Sequence, residues 1–277
     1  MKQESRILDE AITYIEDELG AELSDICVER AVLGLFFTGV KLNTGNGGLS
    51  FTPIKEIPEA VCCPSSAAAM PLSGKLDNRS AREYLKDVSS TNVLKKALGI
   101  AALNALSDYC INKNTKNDFE ILYGVDAFDI IDIAQASQAV VVGALAPMLK
   151  RLIKEKIPFH VLEMDVSTLK EHEMPYYLPP DKAPACVPEA DLLVITGTTL
   201  LNDTLEGLLH MAKPGAQIVV TGPTASVVPD PFFRRGVTLL GGISVTNPND
   251  LLDIISEGGS GYHFFGKSAE RTVLRKK

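Results

Sequence analysis

Five short runs of aliphatic and β-branched residues in the second half of the sequence constrain the fold most strongly. None of them alternates cleanly between apolar and polar residues, as a strand with one solvated face would. Strands buried on both faces have this composition, and they form parallel sheets covered by helices on each side. The runs are QAVVVGA (138–144), FHVLEM (159–164), LLVITG (192–197), QIVVTG (217–222) and VTLLGGI (237–243). Helical patterns near 146–156, 203–212 and 249–257 accompany them. We therefore predict a doubly wound, Rossmann-like parallel sheet.

The first part of the chain has a different pattern. Residues 3–19 carry apolar side chains at helical spacing. Strand-like segments near 27–33, 35–42 and 49–54 follow, separated by glycine and asparagine, which predicts an antiparallel meander. The segment TNVLKKALGIAALNALSDYC is apolar on nearly every face, as a buried helix is. We predict an α/β chain with a small α+β domain at 1–112 and a Rossmann-like domain at 113–277, each with its own core.

Composition and charge exclude several classes of partner. The chain has 277 residues and a net charge of −8, and 45% of its residues are hydrophobic, as in ordinary globular proteins. Its one basic run is the terminal Arg-Lys-Lys, so no nucleic-acid partner is expected. The longest apolar stretch, 139–149, is too short to span a bilayer, and the first residues lack an apolar signal region. We expect a cytoplasmic protein with no membrane partner.

Residues at the strand ends are the candidates for ligand binding, because such sheets bind ligands beyond the carboxyl ends of their strands. Gly143 follows the first strand and is the only match to a dinucleotide-binding glycine pattern there, so NAD or FAD is not expected. Glu163 follows the second strand. Its distance from Gly143, about twenty residues, is typical of the carboxylate that binds a ribose. A solvent-facing carboxylate is the alternative.

Two further strand ends are rich in hydroxyl groups. One continues as TGTT (196–199) with Asn202 close behind, and the other as TGPT (221–224). Asp203 and Glu206 fit a capping box for the next helix, which does not account for the threonines. Hydroxyl, amide and free backbone N–H groups favour an anion or the polar edge of a heterocycle over a pyrophosphate.

Cysteine and histidine positions do not indicate a metal site. The five cysteines include the adjacent pair Cys62-Cys63 but no C-x-x-C pair, so neither a disulfide framework nor a cysteine zinc site is predicted. The segment Glu171-His172-Glu173 could contribute ligands to a hard metal ion, but no further matching ligands lie near it in the sequence. We predict no directly bound metal, and the sequence does not identify a cofactor.

Several segments together resemble the heavy-metal-chelation family, long known as a domain of unknown function. They are VERAVLGLFFTGVKL, VVVGALAPML, VITGTTLLNDTLEGLL and VVTGPTASVVPDPFFRRGVTLLGG, and the resemblance covers nearly the whole chain. It implies an enolase-N-terminal-like domain fused to a Rossmann-like domain with partial similarity to methyltransferases. It also implies a ligand cleft between the two domains, and a role in condensation or hydrolysis of flavin-, pterin- or siderophore-like chelators.

Three functions stay open. The leading one is a small-molecule-binding protein, expected to be an enzyme, that acts on a pterin-, flavin- or siderophore-like chelator. The alternatives are an S-adenosylmethionine-dependent methyltransferase and a non-catalytic carrier of a metal or metal complex. If the chain is catalytic, Glu163 or Asp165 is the available base. A homo-oligomer is left open.

The expected ligand-binding residues come from the strand ends and from one turn of the first domain, residues 45–48. This turn would close over the cleft, and a plain hairpin turn is the alternative. The expected residues are Gly143, Pro147, Gly197, Thr198, Thr199, Asn202, Thr221, Gly222, Pro223, Thr224, Gly47 and Gly48.

Overall fold

The strands of the chain form two separate sheets in the computed structural model, which describes residues 6–57, 70–114 and 117–277. The first sheet is antiparallel, with the order β3-β2-β1-β4. Its strands are β1 (Cys27–Leu33), β2 (Phe37–Leu42), β3 (Gly47–Phe51) and β4 (Arg79–Ser80). The predicted meander is confirmed, and β4 extends it by one short strand.

Helices α2 (Ala81–Asp87) and α3 (Val93–Lys113) pack on the first sheet, and α1 (Ile7–Leu19) packs on α3. Helix α3 is buried on most of its surface, as its composition predicts. It lies so close to β3 that a Cβ atom on Gly48 would be 2.2 Å from the Ala101 carbonyl oxygen. Gly48 is therefore required for the packing of β3 against α3.

The second sheet, within the described residues, has eight strands in the order β5-β12-β11-β10-β9-β6-β7-β8. From β8 to β11 the strands are parallel, and their order is the 3-2-1-4-5-6 order of the Rossmann fold. The order reverses between β6 and β9. Strands β12 and β5 add an antiparallel edge that was not predicted. The strands are β5 (Phe119–Tyr123), β6 (Ala139–Val142), β7 (Phe159–Leu162), β8 (Tyr177–Leu178), β9 (Leu192–Thr196), β10 (Gln217–Thr221), β11 (Leu239–Val245) and β12 (Ala269–Lys276).

Helices connect the strands of the second sheet, and the three that were predicted, α5, α7 and α9, are confirmed. Within the described residues, no helix is both long and apolar enough to cross a bilayer. The helices are α4 (Ala127–Ile130), α5 (Ala146–Glu155), α6 (Ala183–Cys186), α7 (Leu205–Met211), α8 (Asp230–Phe233), α9 (Pro248–Ser256) and α10 (Gly261–Phe264).

The capping box expected at the start of α7 is wrong. Asp203 has a left-handed backbone, with φ 57°, and its carboxylate accepts a hydrogen bond from the buried Lys96 at 2.7 Å. Glu206 accepts the Ile7 amide at 2.9 Å, at the start of α1. Both carboxylates therefore connect α7 to helices of the first half of the chain.

The described residues form three hydrophobic clusters, and one of them extends across both sheets, whereas the sequence predicted a separate core for each. A single cluster of buried residues contains Val28 and Val40 from the first sheet and Val140, Ile195 and Val220 from the second. Helix α9 also packs on β1 and β2, although it follows the parallel strands in sequence. The domain boundary at 112/113 stays a prediction.

An ion-pair cluster joins α1 to the end of α8. The Glu10 carboxylate binds Arg234 and Arg235, each at 2.8 Å. Hydrogen bonds from Arg235, and then from Arg234, lower the pKa of Glu10 from 4.5 to about 2. Because the pKa is lower in the folded state, the cluster stabilises the fold above pH 4.5 and loses this effect as the pH falls towards 2.

We expect Glu10→Gln to lower the free energy of unfolding at pH 7 by about 2 kcal/mol, after allowance for solvent screening. The difference in unfolding free energy between this variant and the unmodified chain should shrink as the pH falls from 4.5 towards 2. Urea unfolding at a series of pH values measures it. Asp17→Asn, which removes a charge from an exposed position on the same helix, serves as the control. If the loss of unfolding free energy in Glu10→Gln did not change with pH, the stabilising role of the ionised Glu10 carboxylate would be contradicted.

Candidate functional site

Two clefts open at the carboxyl ends of the parallel strands. The first has a volume of about 450 Å³ and lies beyond β6, β7 and β9, where the strand order reverses. We call it the switch-point cleft. It is defined by Gly143, Glu163, Thr198, Asn202, Gly207 and Leu208.

The second cleft has a volume of about 320 Å³ and lies between the first sheet and the ends of β9, β10 and β11. We call it the inter-sheet cleft. It is defined by Phe37 and Phe51 from the first sheet, with Asp126, Thr221, Phe265 and Arg271 from the second half of the chain.

The predicted ligand-binding residues divide between these clefts, whereas the sequence suggested one crevice. Thr196 and Thr198 line both clefts, because the 3-10 turn that follows β9 stands between them. Thr196 was not among the predicted residues. The switch-point cleft contains Gly143, Glu163, Thr198, Thr199 and Asn202. The inter-sheet cleft contains Pro147, Gly197, Thr198, Thr221, Gly222, Pro223 and Thr224.

Gly47 and Gly48 line neither cleft. Gly48 packs against α3, and a Cβ atom on Gly47 would be 2.8 Å from Val245 Cγ1. The missing side chains allow close packing of β3 against its neighbours. We therefore leave both glycines out of the proposed ligand site.

Asp165 also lies outside both clefts. Its carboxylate binds the Lys55 side chain and the Ser167 hydroxyl and amide, and these contacts lower its pKa to about 2. Such a carboxylate is a weak base at neutral pH. The geometry does not support the suggested role of Asp165 as a general base.

Glu163 joins the loops that follow two neighbouring strands. Its Oε2 accepts the Ala144 amide at 2.8 Å, and its Oε1 accepts the Asp165 amide at 2.9 Å. The side chain is half-buried and lines the switch-point cleft. An ionised carboxylate has about four acceptor sites, so each oxygen retains capacity for another donor.

Several hydroxyls after β9 bond within their own turn. The buried Thr199 donates to the Thr196 carbonyl oxygen at 2.7 Å. The hydroxyls of Thr196 and Thr198 lie 3.2 Å apart. Asn202 Oδ1 accepts the Thr204 hydroxyl at 2.6 Å. These groups stabilise the turn, and the Thr199 proton in particular is not available to a ligand.

The loop after β10 is attached to the first sheet. The Thr224 hydroxyl accepts the Phe51 amide at 2.9 Å. Asn104 on α3 donates through Nδ2 to the carbonyl oxygens of Leu49, at 2.7 Å, and Thr224, at 3.1 Å. By contrast, the Thr221 hydroxyl lines the inter-sheet cleft without a hydrogen-bond partner in the part of the chain that the structure describes.

An arginine at the inter-sheet cleft was missed by sequence reasoning. Arg271 Nε lies 2.8 Å from Asp126 Oδ2, and its guanidinium carbon lies 4.1 Å from the centre of the Phe265 ring. Asp126 is itself fixed by the Phe128 amide at 3.0 Å. Arg271 belongs to strand β12, which was not predicted. The adjacent β-branched residues Thr272 and Val273 are the only sequence signal that could have indicated this strand.

The described residues contain no group of three or more His, Cys, Asp or Glu side chains that could hold a metal ion. Glu173 is buried and accepts the Lys170 amide at 2.8 Å, while His172 is mostly exposed. Burial raises the pKa of the Cys110 thiol to about 12, which keeps it protonated. The pair Cys62-Cys63 lies outside the described residues.

Comparison with known proteins places the chain in a family. Two family models, each described as "Putative heavy-metal chelation", match residues 16–107 and 126–274. The chain belongs to this family. The resemblance inferred from the sequence is confirmed, while its enolase-like and methyltransferase-like aspects stay predictions.

Three proteins that are similar to the chain are described without an activity. An uncharacterized protein of Methanocaldococcus jannaschii is 32% identical over 203 residues, which cover 71% of this chain and 72% of that protein. A solved structure of a DUF364-family protein of unknown function from Pyrococcus horikoshii has a TM-score of 0.77 at 21% identity, covering 98% of this chain and 100% of that one. Another from Desulfitobacterium hafniense has a TM-score of 0.72 at 19% identity, covering 96% and 99%. These structures show the same fold.

The two threonines of the loop after β10 should respond differently to removal of the hydroxyl. Thr224→Val leaves the Phe51 amide without its acceptor, so we expect the free energy of unfolding to fall by about 1–3 kcal/mol. Thr221→Val removes a hydroxyl that has no partner among the described residues and leaves no donor or acceptor unpaired, so we expect a change below about 0.5 kcal/mol. Chemical unfolding of both variants tests this. Equal losses would show that the loop is not attached through Thr224.

Proposed function

We propose that the inter-sheet cleft binds a flat, aromatic, anionic metal chelator of the pterin, flavin or siderophore type. In this proposal the donor atoms of the chelator, and not protein side chains, hold the metal. The observation that carries it is the fixed guanidinium of Arg271 beside a cleft with aromatic walls.

Aromatic side chains supply the walls of the inter-sheet cleft. Phe37 and Phe51 line it from the first sheet, and Phe128 and Phe265 line it from the second half of the chain. A flat ring gains about 0.5–1.5 kcal/mol from each well-placed aromatic neighbour beyond the area it buries. The volume of about 320 Å³ falls within the range of small-molecule sites.

Arg271 is oriented before any ligand arrives. Asp126 holds its Nε, and Phe265 covers one face of the guanidinium. Its two terminal nitrogens have no partner among the described residues, so they can bind a carboxylate or phosphate through a pair of hydrogen bonds. Because this geometry is already fixed, little side-chain entropy is lost on binding.

The residues that line the inter-sheet cleft do not fit a bare heavy metal. Their polar side chains are threonine hydroxyls, the Asp126 carboxylate and the Arg271 guanidinium. Soft metals prefer thiolate and imidazole ligands, and the guanidinium repels a free cation. A metal held inside an anionic chelate avoids both problems, which supports recognition of the organic compound.

The same residues support binding more than acid–base chemistry. Asp126 is the only carboxylate among the described residues that line the inter-sheet cleft, and it is ion-paired with Arg271 and also accepts the Phe128 amide. Glu163 and Asp165 lie elsewhere. Condensation or hydrolysis would need a base near the substrate that is not already paired with a fixed cation. We therefore favour a protein that holds or delivers the chelator.

Fluorescence titration with 6-carboxypterin and flavin mononucleotide tests the proposal. The chain has no tryptophan, so the fluorescence of the ligand can be followed directly. We expect at least one of the two to bind, and Arg271→Gln to weaken that binding by about 1.5–3 kcal/mol, because a charge-assisted hydrogen bond is lost. Phe265 and Asp126 remain in place in this variant.

Arg275→Gln is the matched control, since it removes the same charge from the same strand but away from the cleft, where Arg275 pairs with Glu120. It should leave the affinity unchanged. If both variants weakened ligand binding equally, the effect would come from the change in net charge and not from Arg271 itself. Failure of both compounds to bind, together with stoichiometric binding of free Zn²⁺ or Cu²⁺, would contradict the proposal.

A further inference from the structure

The switch-point cleft is a second cavity that the proposed chelator site does not use. It lies at the reversal of strand order between β6 and β9, the place where doubly wound sheets bind their ligands. Its volume of about 450 Å³ is within the range for small-molecule sites. The cleft therefore has the position and the size for a ligand of its own.

One side of this cleft is apolar. Leu162, Met164, Pro184, Leu208 and Met211 lie along it. Met164 is 73% exposed, which is unusual for a large apolar side chain at a cavity rim. A ligand with a flat apolar face, such as a nucleobase, would cover this surface and remove it from water.

Glu163, between Leu162 and Met164 in the sequence, offers hydrogen-bond acceptors to the same cleft. One backbone amide occupies each of its two oxygens, and about two acceptor sites remain on the carboxylate. Two neighbouring hydroxyls of a ribose can donate to those sites. A carboxylate at the end of the second parallel strand is the group that binds a ribose in sheets of this topology.

The loop after β6 is unsuited to phosphate. Dinucleotide-binding folds hold a pyrophosphate on free amides at the start of the next helix. Here Ala144 donates to Glu163, and Pro147 has no N–H. All the other amides of this stretch donate to protein carbonyl oxygens: Gly143 to Leu162, Leu145 to Gly143, Ala146 to Ala144, and both Met148 and Leu149 to Leu145. The Glu163 carboxylate beside this loop would also repel a phosphate.

We infer that the switch-point cleft binds a nucleoside without a phosphate group, with the ribose hydroxyls on Glu163 and the base against the apolar side. The cleft discriminates against the corresponding nucleotide, because the amides that would hold its phosphate are already used.

Calorimetric titration with adenosine, guanosine, cytidine and uridine, and with the four 5′-monophosphates, tests the inference. No chelator is present, so the result does not depend on whether the inter-sheet cleft binds one. At least one nucleoside should bind, and its monophosphate should bind at least about tenfold more weakly. Binding of none of the four nucleosides would overturn the inference, as would a monophosphate that binds as tightly as its nucleoside.

Two substitutions locate the binding. Glu163→Gln should weaken nucleoside binding by about tenfold, because one acceptor oxygen is replaced by an NH₂ group that can only donate. Asp165→Asn, at a neighbouring carboxylate outside the cleft, should leave the affinity unchanged. If both variants bind the nucleoside as the unmodified chain does, Glu163 does not hold it.

Gly207 gives a test that does not disturb the fold. It lines the cleft on α7, and a Cβ atom there would meet no atom within 4 Å. Gly207→Met should therefore fill the cleft and abolish nucleoside binding, while the melting temperature is retained. Gly207→Ala should raise the melting temperature, since alanine favours the helix. Unchanged affinity in Gly207→Met would place the nucleoside elsewhere and overturn the inference.

Discussion

Two polar side chains of helix α3 determine how the halves of the chain fit together. Lys96 is only 5% exposed and bonds to Asp203, which lines the switch-point cleft. Asn104 lies about 12 Å further along the helix and bonds to the loop that lines the inter-sheet cleft. A buried ammonium or amide is costly when unpaired, so each side chain favours one arrangement of the loop it meets. A single buried helix thus positions the walls of both clefts.

Hydrogen bonds between the first sheet and the loop after β10 complete this arrangement. The bond from the Phe51 amide to Thr224 is partly buried, and it is stronger than a fully exposed one because it is partly shielded from water. Phe51 is also a wall of the inter-sheet cleft. The contact that holds the sheets together therefore also sets the distance between the aromatic side chains on either side.

The parallel strands could be predicted because burial on both faces leaves a distinctive composition, as in VVVG and LLVIT. Strand β12 lacks that signal, since it lies near the sheet edge and carries charged residues on both faces. The strand ends were correctly placed near the clefts, but the sequence did not reveal hydrogen-bond partners. Thr199 and Thr224 looked like ligand groups and are used by the fold. Arg271 and Asp126 meet across a large separation in sequence, and no local pattern joins them.

The packing of α9 on the first sheet has a consequence for the synthesis of the chain. Leu252 and Ile255 lie against Gly39 of β2 and cover a face of a sheet whose strands are made much earlier. Domains generally fold as units while the chain emerges from the ribosome, with the N-terminal one first. Here the first sheet stays uncovered on that face until α9 has been translated. The nascent chain therefore exposes this apolar surface through most of its synthesis.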